Sequence, residues 1–368
     1  MLIGMATAFS LLGDQVLYSV LPVYYATLGI TAIEVGILLS ANRWVRLATN
    51  ELAHRSVKLM NQRFLFVGAL ILGVVTTLGY VATSHFAVLL GARLAWGLAW
   101  SFIRHFGVQS LMQDVASTRV GRTMGVYNGI SRAGSVAGLL GGAILVDLYG
   151  FVPGVLMLAL VSLLSVPLGV RGFRRFETGA AQRVASINNA YLPLGFVLGI
   201  VGPGLVAGVL GAVLAPYVTT DASLTAATVT GALLGVRYLL DSVAAPYLGG
   251  LTDRWGVRQA SMRFFFIGGC CLAVASLQPG FTILVIGVIG FFVSATALQA
   301  GITGMASRLG SASYARFVTA SDFGSASGPI IGWLLVDTTG DPGLSLAVGA
   351  ALYLVAALTL ACISRRFT

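Results

Sequence analysis

Six arginines fall inside long apolar stretches of this chain, at Arg43, Arg46, Arg93, Arg104, Arg132 and Arg237, and three aspartates, Asp14, Asp241 and Asp322, fall among them. Guanidinium groups grip carboxylate, phosphate or sulfate through paired hydrogen bonds, so surplus arginine in an apolar setting points to anion recognition. A carboxyl in the same setting has a perturbed proton affinity and responds to what binds beside it. Asp14, in GDQVLYSVLP (13–22), is therefore a candidate for reversible protonation, with Asp322 as its rival and Asp241 as a third member of the set. Arg43, Arg132 and Arg237 lie near the middle of their segments and form the expected anion-binding set, with Gln15, Tyr18 and Asn128 as polar companions. Arg237 and Asp241, four residues apart, can pair along one helix face. Arg132 and Asp322 occupy equivalent places in a repeat described below, which would let them approach each other. His54, His85 and His105 are scattered over different helix ends, so neither a metal site nor a cofactor is expected.

The elements that must hold these groups are set by composition. Of 368 residues, 57% are hydrophobic and only 9% charged, with 47 glycines and a mean hydropathy of +0.92. Soluble domains carry about 25% charged residues, so this chain cannot cover a water-exposed surface. Apolar runs of about 20 residues, enough to cross a hydrocarbon core, recur along its length. They predict an all-α membrane protein of twelve transmembrane helices, near 2–28, 31–53, 63–82, 85–112, 121–146, 150–170, 191–218, 223–249, 259–277, 280–306, 313–336 and 342–363. The expected domains are a six-helix bundle at 1–170, a cytoplasmic linker at 171–190 and a second six-helix bundle at 191–368. No cleavable leader is expected, because Met1 runs straight into the first apolar segment. An arginine at bilayer depth costs about 2.5–3.5 kcal/mol on insertion scales, so most of the six should face a wet cavity or a partner. Arg46 and Arg104 are close enough to the inner surface to snorkel. Tyr18, Trp44, Trp96, Trp100, Tyr127 and Tyr238 offer an aromatic wall, and Cys270, Cys271 and Cys362 read as small packing residues rather than a disulfide framework.

Orientation follows from the remaining basic residues. With the N-terminus inside, the inner loops collect Arg55, Lys58, Arg63, Arg119, Arg122, the linker arginines, Arg254, Arg258, Arg263, Arg308, Arg316, Arg365 and Arg366, while Glu34, Asp147, Asp221, Asp337 and Asp341 fall outside. This asymmetry predicts cytoplasmic N- and C-termini. It also accounts for the net charge of +10 without a nucleic-acid partner. The halves repeat: VGILLSANRW (35–44) parallels TGALLGVRYL (230–239), GSVAGLLGG (134–142) parallels GSASGPIIG (324–332), and LPVY (21–24) parallels APY (215–217). Duplicated bundles with a polar linker are the pattern of transporters that bind at the midplane between repeats.

On GGLTDRWGVR (249–258) the chain resembles the major facilitator superfamily, over essentially its full length. The resemblance implies that fold and assigns Gly249, Asp253, Arg254, Gly256 and Arg258 to a cytoplasmic gate. The first-half copy, NELAHRSVKLMNQR (50–63), departs from the pattern at His54, Lys58, Leu59 and Asn61 and keeps Arg63. RLAWG (93–97) resembles a fourth-helix motif linked in the family to proton coupling, which assigns Arg93 to that role. GSVAGLLGG resembles the fifth-helix motif of drug/proton antiporters, with Leu139 where proline is usual.

These readings predict a proton-coupled secondary transporter, not an enzyme, that exports a small, anionic organic compound across a bacterial inner membrane as a monomer. Small-molecule substrate, protons and lipid bilayer are its expected partners, and nothing resembles a nucleotide-binding loop. Rival readings are an organic-anion importer, a flippase for a lipid-like anion, and a non-transporting sensor or assembly factor.

Overall fold

The computed structural model describes residues 1–57, 60–113, 120–176, 192–218, 225–309 and 311–362, and the chain there is helical throughout. Lys58, Leu59, Arg119, Asp221, residues 177–190 of the expected linker and the basic tail lie outside the described residues. The helices, in chain order, are α1 Leu2–Tyr24, α2 Ala32–Ser56, α3 Gln62–Ala82, α4 Phe86–Met112, α5 Arg122–Tyr149 and α6 Phe151–Gly172. Then follow α7 Leu192–Tyr217, α8 in two segments, Ala226–Val243 and Ala245–Trp255, α9 Val257–Ser276, α10 Phe281–Arg308, α11 Ser311–Thr339 and α12 Gly343–Cys362.

Among the described residues nine of these twelve are long and apolar enough to cross a membrane by length and composition alone. The other three, α2, α8 and α11, carry Arg43 and Arg46, Arg237 and Asp241, and Arg316 and Asp322 respectively. Polar helices at membrane depth are tolerated when protein or water rather than lipid covers their charged faces.

Contacts divide the chain into two compact units, Met1–Ala181 with Thr220–Gly235, and Gln182–Thr219 with Val236–Thr368. The first turns of α8, as far as Gly235, are grouped with the first unit. The reason is local: a Cβ at Gly231 would fall 2.3 Å from the carbonyl oxygen of Leu139, so only glycine permits α8 to lie this close to α5.

Within each unit the same helix pairs touch: α1 with α5 and α7 with α11, α2 with α4 and α8 with α10, α3 with α6 and α9 with α12. Glycine ladders make the first of these pairings. A Cβ at Gly134 would lie 2.4 Å from the Ala8 carbonyl oxygen, and one at Gly324 would lie 2.3 Å from that of Phe196. Small residues at four-residue spacing let backbones meet in this way where lipid supplies no hydrophobic drive. The turns repeat too, with Gly150 (φ 88°) after α5 and Gly340 (φ 73°) after α11, both in the region that favours glycine. At the start of α2, Thr31 and Glu34 form a reciprocal cap, the Thr31 N–H donating to Glu34 Oε2 at 2.7 Å.

Both α5 and α7 contain π-helical stretches, Ala137–Gly141 and Ile200–Val206. Pro203 lies in the second, where its missing N–H interrupts the regular ladder. In α5 the family's proline position holds Leu139, and the π turn occurs without proline: the Ser19 hydroxyl of α1 donates to the Leu139 carbonyl at 2.9 Å. A side chain entering the ladder is one of the few causes of such a distortion.

Candidate functional site

The first unit buries an ionic network where α1, α2 and α4 converge. Asp14 is 4% exposed and Arg93 is fully buried, and the Arg93 Nη1 donates to Asp14 Oδ1. The same carboxylate oxygen accepts from Asn42 Nδ2 at 3.1 Å, and Oδ2 accepts from Gln15 Nε2 at 2.8 Å. Arg93 Nε donates to the Leu38 carbonyl at 2.8 Å, and its Nη2 reaches the Tyr18 hydroxyl at 3.4 Å. That hydroxyl in turn donates to the Leu39 carbonyl at 3.4 Å. Every charge here is met by an opposite charge or a dipole, as burial demands.

Local sequence explains the geometry. Gly97 lies one turn beyond Arg93, and a Cβ there would sit 2.4 Å from the Asn42 carbonyl oxygen. The RLAWG motif therefore couples two functions: its glycine brings the α2 backbone against α4, and its arginine then reaches the α2 carbonyls and Asp14. Two guanidinium groups lie over the Tyr18 ring, Arg43 at 5.3 Å and Arg93 at 5.5 Å from its centroid. Two cations on one aromatic ring link the buried pair to the half-buried Arg43.

The other expected residues are placed as follows. Asn128 and Arg132 are exposed on one face of α5, and Asp322 is half-buried on α11 in the second unit. Arg237 and Asp241 do not form the ion pair that their spacing allows. Asp241 Oδ1 accepts from Thr296 Oγ1 of α10 at 2.8 Å, and Arg237 lies 5.7 Å from the Tyr238 ring centroid. A hydroxyl on a packed neighbouring helix has competed successfully with the four-residue helix spacing. Trp96 and Tyr127 are packing residues: Trp96 is buried and stacked on Trp100, and the Tyr127 hydroxyl lies 3.3 Å from that of Thr7.

The gate signature also separates into parts. Gly256 (φ 78°) makes the tight turn from α8 to α9, and Gly249 lies half-buried on the second segment of α8. The exposed Asp253 pairs with Arg308 of α10 at 3.1 Å, while Arg254 is exposed. Arg258 donates to the Leu360 and Ala361 carbonyls at 2.9 and 3.1 Å, capping the end of α12. In the first unit Arg63 donates to the Val170 carbonyl near the end of α6 at 2.7 Å. The arginine that survives in the altered first-half loop thus repeats the capping role of Arg258.

Sequence reading missed several participants. Asn42 was legible as a polar position, since it aligns with Arg237 in the repeat. Asp147, expected in an outer loop, sits in the last turn of α5, where it accepts from the Tyr24 hydroxyl at 2.8 Å and from Thr228 Oγ1. His54 and His105, expected apart, meet edge to face at 5.6 Å because α2 packs on α4. Among the described residues no group of three or more His, Cys, Asp or Glu is placed to hold a metal. Cys270 and Cys362 are exposed on the helix surfaces rather than packed inside.

Repeated apolar helices with an ion pair buried at mid-helix define a multi-pass membrane protein. The family model of the Major Facilitator Superfamily matches residues 3–186. The chain belongs to that superfamily, and it is a membrane transporter rather than an enzyme. A search of curated proteins by sequence finds no match. Among solved structures, a mutant of the nucleoside transporter NupG superposes with a TM-score of 0.76 at 13% identity, covering 99% of this chain and 100% of that one. A bacterial homologue of the human lysosomal transporter Spinster, captured inward-facing and unoccupied, gives 0.69 at 14% identity, with 98% and 93% covered. At such identities the likeness is one of fold.

Proposed function

We propose that this transporter is proton-coupled and exports a small organic anion across a bacterial inner membrane as a monomer, with both termini cytoplasmic. The observation that carries the reading is the Asp14–Arg93 pair, enclosed with Asn42, Gln15 and Tyr18. Protonating Asp14 would remove half of a fully desolvated pair and leave Arg93 in need of another anion. Breaking a buried pair in that way costs about 3–5 kcal/mol, enough to bias a conformational equilibrium strongly. A cargo anion drawn to Arg43 would act on the same pair through the shared Tyr18 ring, and by linkage proton and anion would each alter the affinity for the other. Arg132, Arg237 and Asn128 complete the proposed cargo set, and Asp322 and Asp241 are the alternative proton sites. Bundles at 1–170 and 191–368, joined by a cytoplasmic linker at 171–190, would expose the cargo to each side in turn. The export direction is supported by the fifth-helix glycine ladder alone.

The test is counterflow in proteoliposomes with labelled organic anions under an imposed pH gradient. Exchange of an anion that follows the gradient and is lost in Asp14→Asn supports the proposal. Gradient-driven movement of neutral solutes only, or of headgroup-labelled lipid, defeats the anionic-cargo reading. Wild-type flux retained in Asp14→Asn transfers the coupling role to Asp322 or Asp241.

A further inference from the structure

The Asp14 carboxylate is held by three donors, an arrangement fitted to the anion alone. Its Oδ1 accepts from Arg93 Nη1 and Asn42 Nδ2, and its Oδ2 accepts from Gln15 Nε2. A proton added to Oδ1 brings one more donor into a place already crowded with N–H groups. Arginine has no acceptor atom and keeps its charge, so Arg93 cannot receive that O–H. Asn42 is the other group on Oδ1, and an amide carries both a donor and an acceptor. Among the described residues, three further ionisable groups face the pair from the helices packed on it. The Tyr18 hydroxyl of α1 lies within reach of Arg93 Nη2, Tyr80 of α3 lies beside Arg93, and Arg43 of α2 lies over the Tyr18 ring.

A second observation singles out that amide. Asn42 is 4% exposed, and its Oδ1 has no hydrogen-bond partner among the described residues. Buried acceptors are nearly always paired, so one left open beside a titratable carboxyl calls for an explanation. We propose that Asn42 is a positioning residue for the coupling proton. Its amide donates to Asp14 while the carboxylate is charged and, after half a rotation about its last side-chain bond, accepts from Asp14 once the acid has formed. The inference rests on Asp14 as the proton carrier, the reading given above. A proton from the aqueous pathway bonds to Asp14 Oδ1, the new O–H points at Asn42 Oδ1, and no other covalent bond changes. Turning the amide sacrifices no bond at Oδ1, because there is none to lose. The backbone stays in place: a Cβ at Gly97 of α4 would meet the Asn42 Cα at 2.9 Å, and one turn earlier Arg93 Nε holds the Leu38 carbonyl. The response is therefore confined to one side-chain torsion, and it leaves the Arg93 guanidinium to a cargo anion.

Infrared difference spectra of the full chain in liposomes, taken between alkaline and acidic buffer with heavy-carbon asparagine incorporated, read both partners at once. Acidification should raise a carboxylic-acid C=O band from Asp14. In step with it, an asparagine amide C=O band should move to lower frequency as Oδ1 gains a bond. Asp14→Asn should abolish both changes. Asn42→Leu should keep the acid band, displaced to higher frequency, and lose the amide change. The midpoint of that acid band should shift to higher pH by about one unit, because the anion loses a charge-assisted bond worth more than the neutral bond the acid loses. Asn42→Thr, whose hydroxyl both donates and accepts, should return band position and midpoint towards wild type, even where Asn42→Leu folds poorly. An Asp14 acid band without an amide change, or an amide change that survives in Asn42→Leu, overturns the proposal and leaves Asp14 as the proton carrier. No Asp14 acid band at any pH at which the chain stays folded overturns the coupling reading and this proposal with it.

Discussion

The two units share one set of helix pairings and differ in what they bury. In the first, α1 brings Asp14 to Arg93 of α4, and the pair is enclosed with Asn42, Gln15 and Tyr18. In the second, the counterpart α7 carries no ionisable side chain between Leu192 and Pro216, and Asp241 of α8 accepts from the neutral Thr296 of α10. The scaffold is present twice, and the fully buried aspartate–arginine pair lies in the first unit. A buried ion pair gives little net stability but is costly to break, which suits a switch better than a strut. The capping arginines show the opposite pattern, since Arg63 and Arg258 do the same work in both units.

The sharpest way to break this comparison is at the acids. Asp14→Asn should reduce gradient-driven flux by about 100-fold and destabilise the first unit by about 3–5 kcal/mol, since Arg93 loses its counter-charge. Adding Arg93→Gln should recover most of the melting temperature without recovering flux. Asp241→Asn should change stability by less than about 1 kcal/mol, because a neutral hydrogen bond is at stake. If both single variants behave alike in transport and thermal assays, the proposed division of labour is wrong.

Glycine ladders should respond equally in the two units. Gly134→Val and Gly324→Val each place side-chain atoms against a neighbouring carbonyl, and each should cost about 3 kcal/mol by overpacking, read from thermal unfolding in detergent. Arg63→Ala and Arg258→Ala should each cost about 1 kcal/mol through lost contacts to helix-end carbonyls. An effect confined to Arg258 would show that the first-half loop has lost its structural role as well as its sequence pattern. The smallest effect belongs to Asp253→Asn. Its pair with Arg308 is more than half exposed on both sides, so stability should shift by less than about 1 kcal/mol. A lowered transport rate in that variant would mark Asp253 as a gating group.

Much of this architecture follows from local sequence. Most of the helices were legible because their apolar runs are about one bilayer long, and the repeat was legible because Gly134, Gly138 and Gly142 recur at Gly324, Gly328 and Gly332. Asp14 and Arg93 each stood out as charges in apolar surroundings. Their pairing did not, because the two residues are 79 positions apart and meet only after Gly97 admits α2 against α4. Arg237 and Asp241 show the converse, in which a spacing that allows an ion pair goes unused and Asp241 accepts from a hydroxyl of the neighbouring α10. The π turns of α5 and α7 and the meeting of His54 with His105 likewise depend on close approach between helices.

Sequence by itself thus determined that the chain crosses a membrane repeatedly, in two related halves, with ionisable groups at depth. Tertiary structure decided which of those groups touch. The physical reason is one of range: apolar length and helical spacing act within a single segment, whereas a buried charge takes its partner from whichever packed helix brings the best-placed donor, and that packing is set by glycines distant in sequence from the charge they serve.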